Sequence, residues 1–523
     1  MRRIEFGVFV CGALCAAFVM TAVAGAQVKP NALFSDHAVL QSGMDVPVWG
    51  AATPGEKVTV SVDGRKESAT TDAAGKWMVR LKKLKAGGPF EMTIAGSAAG
   101  ETPITVHDVL VGEVWLGSGQ SNMVFNVSKK GHAPYGLMDE EKEIAAANYP
   151  QVRMFTVKDT KSYDPKTDVV GEWKVCSPET VPDFSAVGYL FARDLNQALK
   201  TPVGIVLAAY GASTAEAWLP REAMMHDAQL KPMIDRFDAR ENYFREMPGS
   251  NDADAPPAPQ TLNARPGRPG PLRDPVQDQH QPTVLWNGEI APIVPYAIRG
   301  AIWYQGESIV DGPKGLMRYS HAMETLVMQW RAAWGEGDFP FFAVQLPPLK
   351  NVSNNPLVRE QQAKILSVPN TGLAVTLDIG DPANVHPKNK EPLGVRLTDL
   401  ALAKAYGKKM EYSGPVYAGM KVEGNAIRVK FTHAEGLAGK GGPLKWFQIA
   451  GADEKFVDAD AKVDGDSVIV SSPQVSAPVA VRYAWDNYPD GANLVNGAGL
   501  PAGPFRTDDW DAMTAVAAEF TGR

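Results

Sequence analysis

Hydrophobic and polar positions change their rhythm twice along the chain. From about residue 30 to 107, short alternating runs are broken by Gly, Pro and Asp: 46–49, 57–62, 76–80 and 90–94 all read as strands. Strands at that spacing predict a small β-sandwich-like module over 27–105. After residue 108 the runs become continuously apolar, at 109–116, 203–209, 297–304, 339–346 and 371–377, as in strands buried on both faces. Helical patterns lie between them at 183–199, 321–334, 360–366 and 392–406, the first with Val187, Leu190, Phe191 and Leu195 on one face. Strands alternating with helices predict an α/β domain over 106–410, a parallel sheet with helices on both sides. From 411 to 523 the short-strand pattern returns, at 426–431, 467–470 and 479–483, and predicts a second β-module. No internal repeat joins the two β-regions.

Two stretches fall outside this pattern. Residues 247–282 are rich in Pro, with Gly, Asp and Asn between, and are too long for a plain turn. That insertion is either an excursion from the domain or part of a substrate rim. At the start, Met1-Arg2-Arg3 precedes an apolar run over 6–24 and the small residues Ala24-Gly25-Ala26. This is the layout of a secretory signal peptide over 1–26 with cleavage after Ala26, so the mature chain is expected in the periplasm or outside the cell, with no membrane association.

Composition narrows the chemistry. The 523 residues carry a net charge of −7 without any Lys/Arg block, which argues against a nucleic-acid or anionic-membrane partner. Cys11 and Cys15 leave with the signal, so Cys176 has no intramolecular disulfide partner and reads as a small buried hydrophobe. His and Cys never cluster at metal-ligand spacing, and neither a metal nor an organic cofactor is expected. The sequence assigns no oligomeric state.

The sharpest local signal is Gly117-Ser118-Gly119-Gln120-Ser121-Asn122-Met123, directly after a buried strand. In open α/β sheets, ligands sit beyond the carboxyl ends of the strands. A serine there presents its hydroxyl, and a following helix would aim its positive end at a developing oxyanion. The same residues also fit a plain Ser helix cap, and the Gly-x-Ser-x-Gly elbow of α/β-hydrolases is absent. A nucleophilic serine needs a base. Of eight histidines, His386 stands out, because it follows the last buried strand and so falls on the same sheet edge as Ser121. His37, His107, His132, His226, His280, His321 and His433 have no comparable setting and read as surface or satisfied histidines.

Gly-Gln-Ser-Asn-Met at 119–123 resembles the first block of the SGNH-type sialate O-acetylesterases and related carbohydrate acetylesterases. Ala209-Tyr210-Gly211-Ala212-Ser213 with Glu216-Ala217-Trp218 resembles the second block. The third is matched by 282–288 and Trp303-Tyr304-Gln305-Gly306-Glu307-Ser308, the last by Asp378-Ile379-Gly380-Asp381 and His386-Pro387-Lys388-Asn389-Lys390. Together the blocks span nearly the whole mature chain. The resemblance implies a flavodoxin-like, three-layer SGNH hydrolase domain that removes acetyl groups from an O-acetylated carbohydrate, either sialic acid or a plant polysaccharide. It also implies Ser121 as nucleophile, His386 as base, and an oxyanion hole of the Ser121 and Gly211 N–H groups with the Gln305 side chain.

Three positions depart from the family. The orienting acid usually found two or three residues before the histidine is replaced by Asn384 and Ala383, which leaves Asp381 or a plain Ser–His dyad, with Glu307 and Asp378 behind them. Ile309 and Val124 stand where Asn and an acid are common. Trp115, Trp218, Trp286, Trp303 and Tyr304 lie near the blocks, and one or two are expected to face a sugar. Two other readings follow from these features. The missing acid would suit a carbohydrate-binding protein with weakened catalysis, and the scaffold would also suit a short-chain lipase or thioesterase.

Overall fold

The apolar runs form one central sheet in the computed structural model, which describes residues 27–130, 135–246, 273–352 and 354–510. The expected signal peptide at 1–26, residues 247–272 of the Pro-rich insertion and His132 lie outside the described residues. The sheet strands are β1 (Ile104–Gly119), β2 (Tyr149–Thr156), β3 (Trp173–Cys176), β4 (Val203–Ala209), β5 (Gly300–Tyr304), β6 (Phe341–Val344) and β7 (Thr371–Ala374). They lie in the order β3-β2-β4-β1-β5-β6-β7, with every neighbouring pair parallel except β3 and β2. The first strand therefore sits inside the sheet, with β4 on one side and β5 on the other. The connections turn opposite ways at its carboxyl end, where a doubly wound sheet opens a crevice.

Alternate strand residues enter two separate cores. Trp115, Ile205, Leu207, Ile302 and Phe342 pack into one, and Leu116, Val206, Ala301, Trp303 and Phe341 into the other. Helices α1 (Ala186–Leu199) and α4 (Glu391–Lys404) cover the first face with Leu190, Leu195, Leu393 and Leu397. Helix α2 (Gly312–Trp334) covers the second with Leu326, Val327 and Trp330. Each such side chain, fully buried, contributes about 1.5–3 kcal/mol, which explains why both faces of the sheet are apolar. Ser185 starts α1 by accepting a hydrogen bond from the Gly188 N–H.

Two β-modules flank this domain. In the first, Lys57–Val62 and Lys76–Leu81 alternate between exposed and buried positions and belong to two sheets over one core. The expected boundary at 105/106 falls inside a single strand, near its start. The start of β1 pairs with Gly87–Ala95 in the module, and its end pairs with β4 and β5. The C-terminal module has two four-stranded sheets sharing a core, with Val429 and Val468 from one and Ile449, Tyr483 and Phe505 from the other, beside a short two-stranded sheet. It is pinned to the central domain by Arg359 of helix α3 (Asn355–Ala363), which is fully buried and donates to the carbonyls of Leu346, Pro347, Asp486 and Asn487. No helix among the described residues is long and apolar enough to cross a membrane.

Candidate active site

The end of β1 is built for close approach. The Gln120 N–H donates to the Tyr304 carbonyl (2.9 Å), joining the carboxyl ends of β1 and β5. Gly119 has φ of +133°, and a Cβ there would collide with the Tyr304 backbone, so glycine is required on both counts. Ser121 then opens a helical turn of four residues, Ser121–Val124, which is shorter than the dipole-bearing helix expected from the sequence. Gly211 follows β4 beside it: the Tyr210 N–H donates to the Gly119 carbonyl (3.0 Å), and a Cβ on Gly211 would lie 3.9 Å from that of Ser121. The N–H groups of Ser121 and Gly211 make no hydrogen bond among the described residues.

His386 reaches this point from the loop after β7, with Nε2 at 2.8 Å from Ser121 Oγ. Asp381 Oδ1 accepts the N–H groups of Ala383 (2.9 Å) and Asn384 (3.1 Å), and Asn384 Oδ1 in turn accepts that of His386 (2.9 Å). Two Asx turns in series thus shape the loop. Asp381 and Asn384 are both engaged with backbone, and neither is brought to the imidazole. Nδ1 of His386 makes no hydrogen bond among the described residues, and the Tyr135 ring covers the imidazole with centroids 4.1 Å apart. Burial and the nearby Lys390 ammonium push the His386 pKa down to about 4, so the ring is neutral at ordinary pH. The other described histidines each contact a carboxylate: His37 with Asp108, His107 with Glu91, His226 with Glu222, His280 with Asp278, His321 with Asp227 and His433 with Glu411. His386 alone among them has none.

Behind the serine lies a buried polar chain in which only Glu307 was expected to have a role, as a weaker candidate for the orienting acid. Lys390 Nζ donates to Asn122 Oδ1 (2.6 Å), and Asn122 Nδ2 donates to Glu307 Oε1 (2.6 Å) and to the Val385 carbonyl (3.0 Å). Burial pushes the Lys390 pKa down to about 7 against the pull of Glu307, and burial raises the Glu307 carboxyl despite its bond to Asn122. A cavity of about 420 Å³ opens alongside, between the loops after β5, β6 and β7, with Glu307, Ile309, Leu346 and Val385 in its wall.

Several expected contributors sit elsewhere. Gln305 is fully buried, with its amide donating to the carbonyls of Ser213 and Ser308 (both 3.0 Å) and its oxygen accepting from Tyr319 (2.9 Å). Both amide hydrogens are therefore committed, and Gln305 offers no free donor to an oxyanion at Ser121. Asp378 is paired with Arg396. Trp115, Trp218, Trp286, Trp303 and Tyr304 are all buried in the cores, so none is a sugar platform, contrary to expectation. Tyr135 is the aromatic ring beside the imidazole. Among the described residues, no group of three His, Cys, Asp or Glu could hold a metal.

A hydroxyl and an imidazole 2.8 Å apart at the carboxyl edge of a doubly wound sheet are an arrangement that can support acyl transfer. The family model for "Carbohydrate esterase, sialic acid-specific acetylesterase" matches residues 288–403. The chain is 29% identical to the sialate O-acetylesterase of Mus musculus over 519 residues, covering 88% of this chain and 90% of the relative. To the Homo sapiens sialate O-acetylesterase it is 27% identical over 485 residues, 84% of each. The crystal structure of a carbohydrate acetylesterase from Xanthomonas citri aligns with a TM-score of 0.78 at 36% identity, covering 92% of this chain and all of that one. The chain belongs to this family of carbohydrate and sialate O-acetylesterases, and it is an ester hydrolase.

Proposed function

We propose that the protein is an exported SGNH-type hydrolase that removes acetyl groups from carbohydrate hydroxyls, with Ser121 as nucleophile and His386 as its base. The observation that carries this is the 2.8 Å contact between Ser121 Oγ and His386 Nε2, formed across 265 residues of chain. An imidazole with its hydrogen on Nδ1 accepts the serine proton at Nε2 as Oγ attacks the acetyl carbonyl. The oxyanion that forms lies within reach of the Ser121 and Gly211 N–H groups, each such donor being worth about 10²–10³ in rate. Collapse expels the sugar oxygen, which takes the proton from Nε2. Water then cleaves the acetyl-serine to acetate by the same route. With Asp381 held in its turn, the pair works as a dyad.

The substrate is an O-acetylated sugar, in keeping with relatives named for sialate and carbohydrate acetyl esters. The test is acetate release from 4-nitrophenyl acetate, then from acetylated sialic acids and acetylated hemicelluloses, each beside Ser121→Ala. Loss of turnover in the folded variant supports the serine route, and retained turnover removes it. Activity rising from acetate to octanoate esters would instead favour a lipase. N-terminal sequencing of the exported protein is expected to begin at Gln27.

A further inference from the structure

Lys390 is a lysine where burial is costly. It is 1% exposed, its ammonium faces the rings of Phe125 (4.9 Å) and Tyr304 (5.0 Å), and no carboxylate is within ion-pair distance among the described residues. A methionine would fill the same space without the desolvation cost. What the ammonium holds is the Asn122 amide, which is fully buried and reaches Glu307 and the Val385 carbonyl with its two hydrogens. Asn122 adjoins Ser121, and Val385 adjoins His386. The ammonium–amide–carboxylate chain therefore fastens the nucleophile turn to the loop that carries the base.

We propose that Lys390 is a positioning residue for the Ser121–His386 pair: through Asn122 it locks the base loop onto the nucleophile turn, with an ammonium rather than a carboxylate anchoring the polar chain behind the base. This rests on the reading of Ser121 and His386 as nucleophile and base. It is the reverse of a carboxylate triad, where the acid raises the imidazole pKa and favours its charged form. Among the described residues, the titratable groups that face this assembly are Glu307 from the loop after β5, the phenol of Tyr304 from β5 itself and Tyr135 from the segment over His386. Glu307 acts on Lys390 in the opposite sense, by holding the ammonium charged. At acid pH the lysine is charged, and the His386 pKa is depressed by burial first and by Lys390 second. Removing the ammonium therefore lets the imidazole protonate at higher pH, while burial still holds it below its ordinary value.

The test is the pH profile of kcat/KM for 4-nitrophenyl acetate on the full mature chain, comparing wild type with Lys390→Met, Lys390→Gln and Asn122→Ala. Both lysine variants should move the acid limb up by about one pH unit and lower kcat by roughly 10-fold or more through a looser base loop. Asn122→Ala should lower kcat with a smaller move of the limb, since the ammonium remains. A folded Lys390→Met or Lys390→Gln with its acid limb at the wild-type position overturns the proposal, whatever its rate. Should Ser121→Ala or His386→Ala keep wild-type turnover, it is the underlying reading of nucleophile and base that fails, and the two failures are told apart.

Discussion

At the scale of single residues, the His386 imidazole has no carboxylate against it among the described residues. A pKa held near 4 would keep the proposed base available well into the acid range. The sign is direct: protonation removes the acceptor, so kcat/KM should stay level from neutral pH to about pH 5 and fall below it. A profile breaking near the ordinary histidine value of about 6.5 would mean that the ring is better solvated than its surroundings imply. The same shift acts on stability. The folded state binds the proton less tightly than the unfolded one, so stability declines as pH falls from about 6.5 towards about 4, and His386→Gln should remove that component. Ser121 and His386 were legible in the sequence because each follows a buried strand. Lys390, Asn122 and Tyr135 were not, since the hydrogen bonds joining Lys390, Asn122, Glu307 and Val385 close over 185 to 268 residues and a buried lysine has no local signature.

At the scale of elements, the legible parts were those whose pattern is purely apolar. β4 matches its run end to end at Val203–Ala209, and β5, β6 and β7 lie inside longer apolar runs whose ends bend away into loops. β2 was missed because Pro150 and Arg153 interrupt it. Arg153 is buried there by its pairing with Asp108, so a polar letter occupies a core position. The turn after β1 depends on Gly119 in both space and dihedral angle. Gly119→Ala should cost about 1–3 kcal/mol from the backbone conformation alone, and more as the Cβ is pushed from the Tyr304 carbonyl. A lowered thermal midpoint together with lost esterase activity is the expected result.

At the scale of the whole molecule, the modules are joined more closely than their sequence patterns implied. β1 is shared between the N-terminal module and the central sheet, so a cut at residue 105 severs a strand. The C-terminal module is held by Arg359, whose guanidinium serves four backbone carbonyls and whose pKa burial pushes down to about 9. Arg359→Met would leave the Leu346, Pro347 and Asp486 carbonyls without their donor, while that of Asn487 keeps the Leu349 N–H, at about 1–3 kcal/mol for each that stays dry. Calorimetry should then resolve separate transitions for the central domain and the C-terminal module, against a single joint transition expected of the wild type. The Asp486–Asn487 segment lies against the loop after β6, so the same variant should also weaken activity.

The proposed serine mechanism requires that an acetyl group pass through Ser121. Rapid quenching of the enzyme with 4-nitrophenyl acetate, followed by peptide mass spectrometry, reads this directly. One acetyl group on the peptide containing Ser121, absent in Ser121→Ala and sharply reduced in His386→Ala, is the expected outcome. Full turnover with no acetyl group on Ser121, or with the label on another side chain, would contradict it.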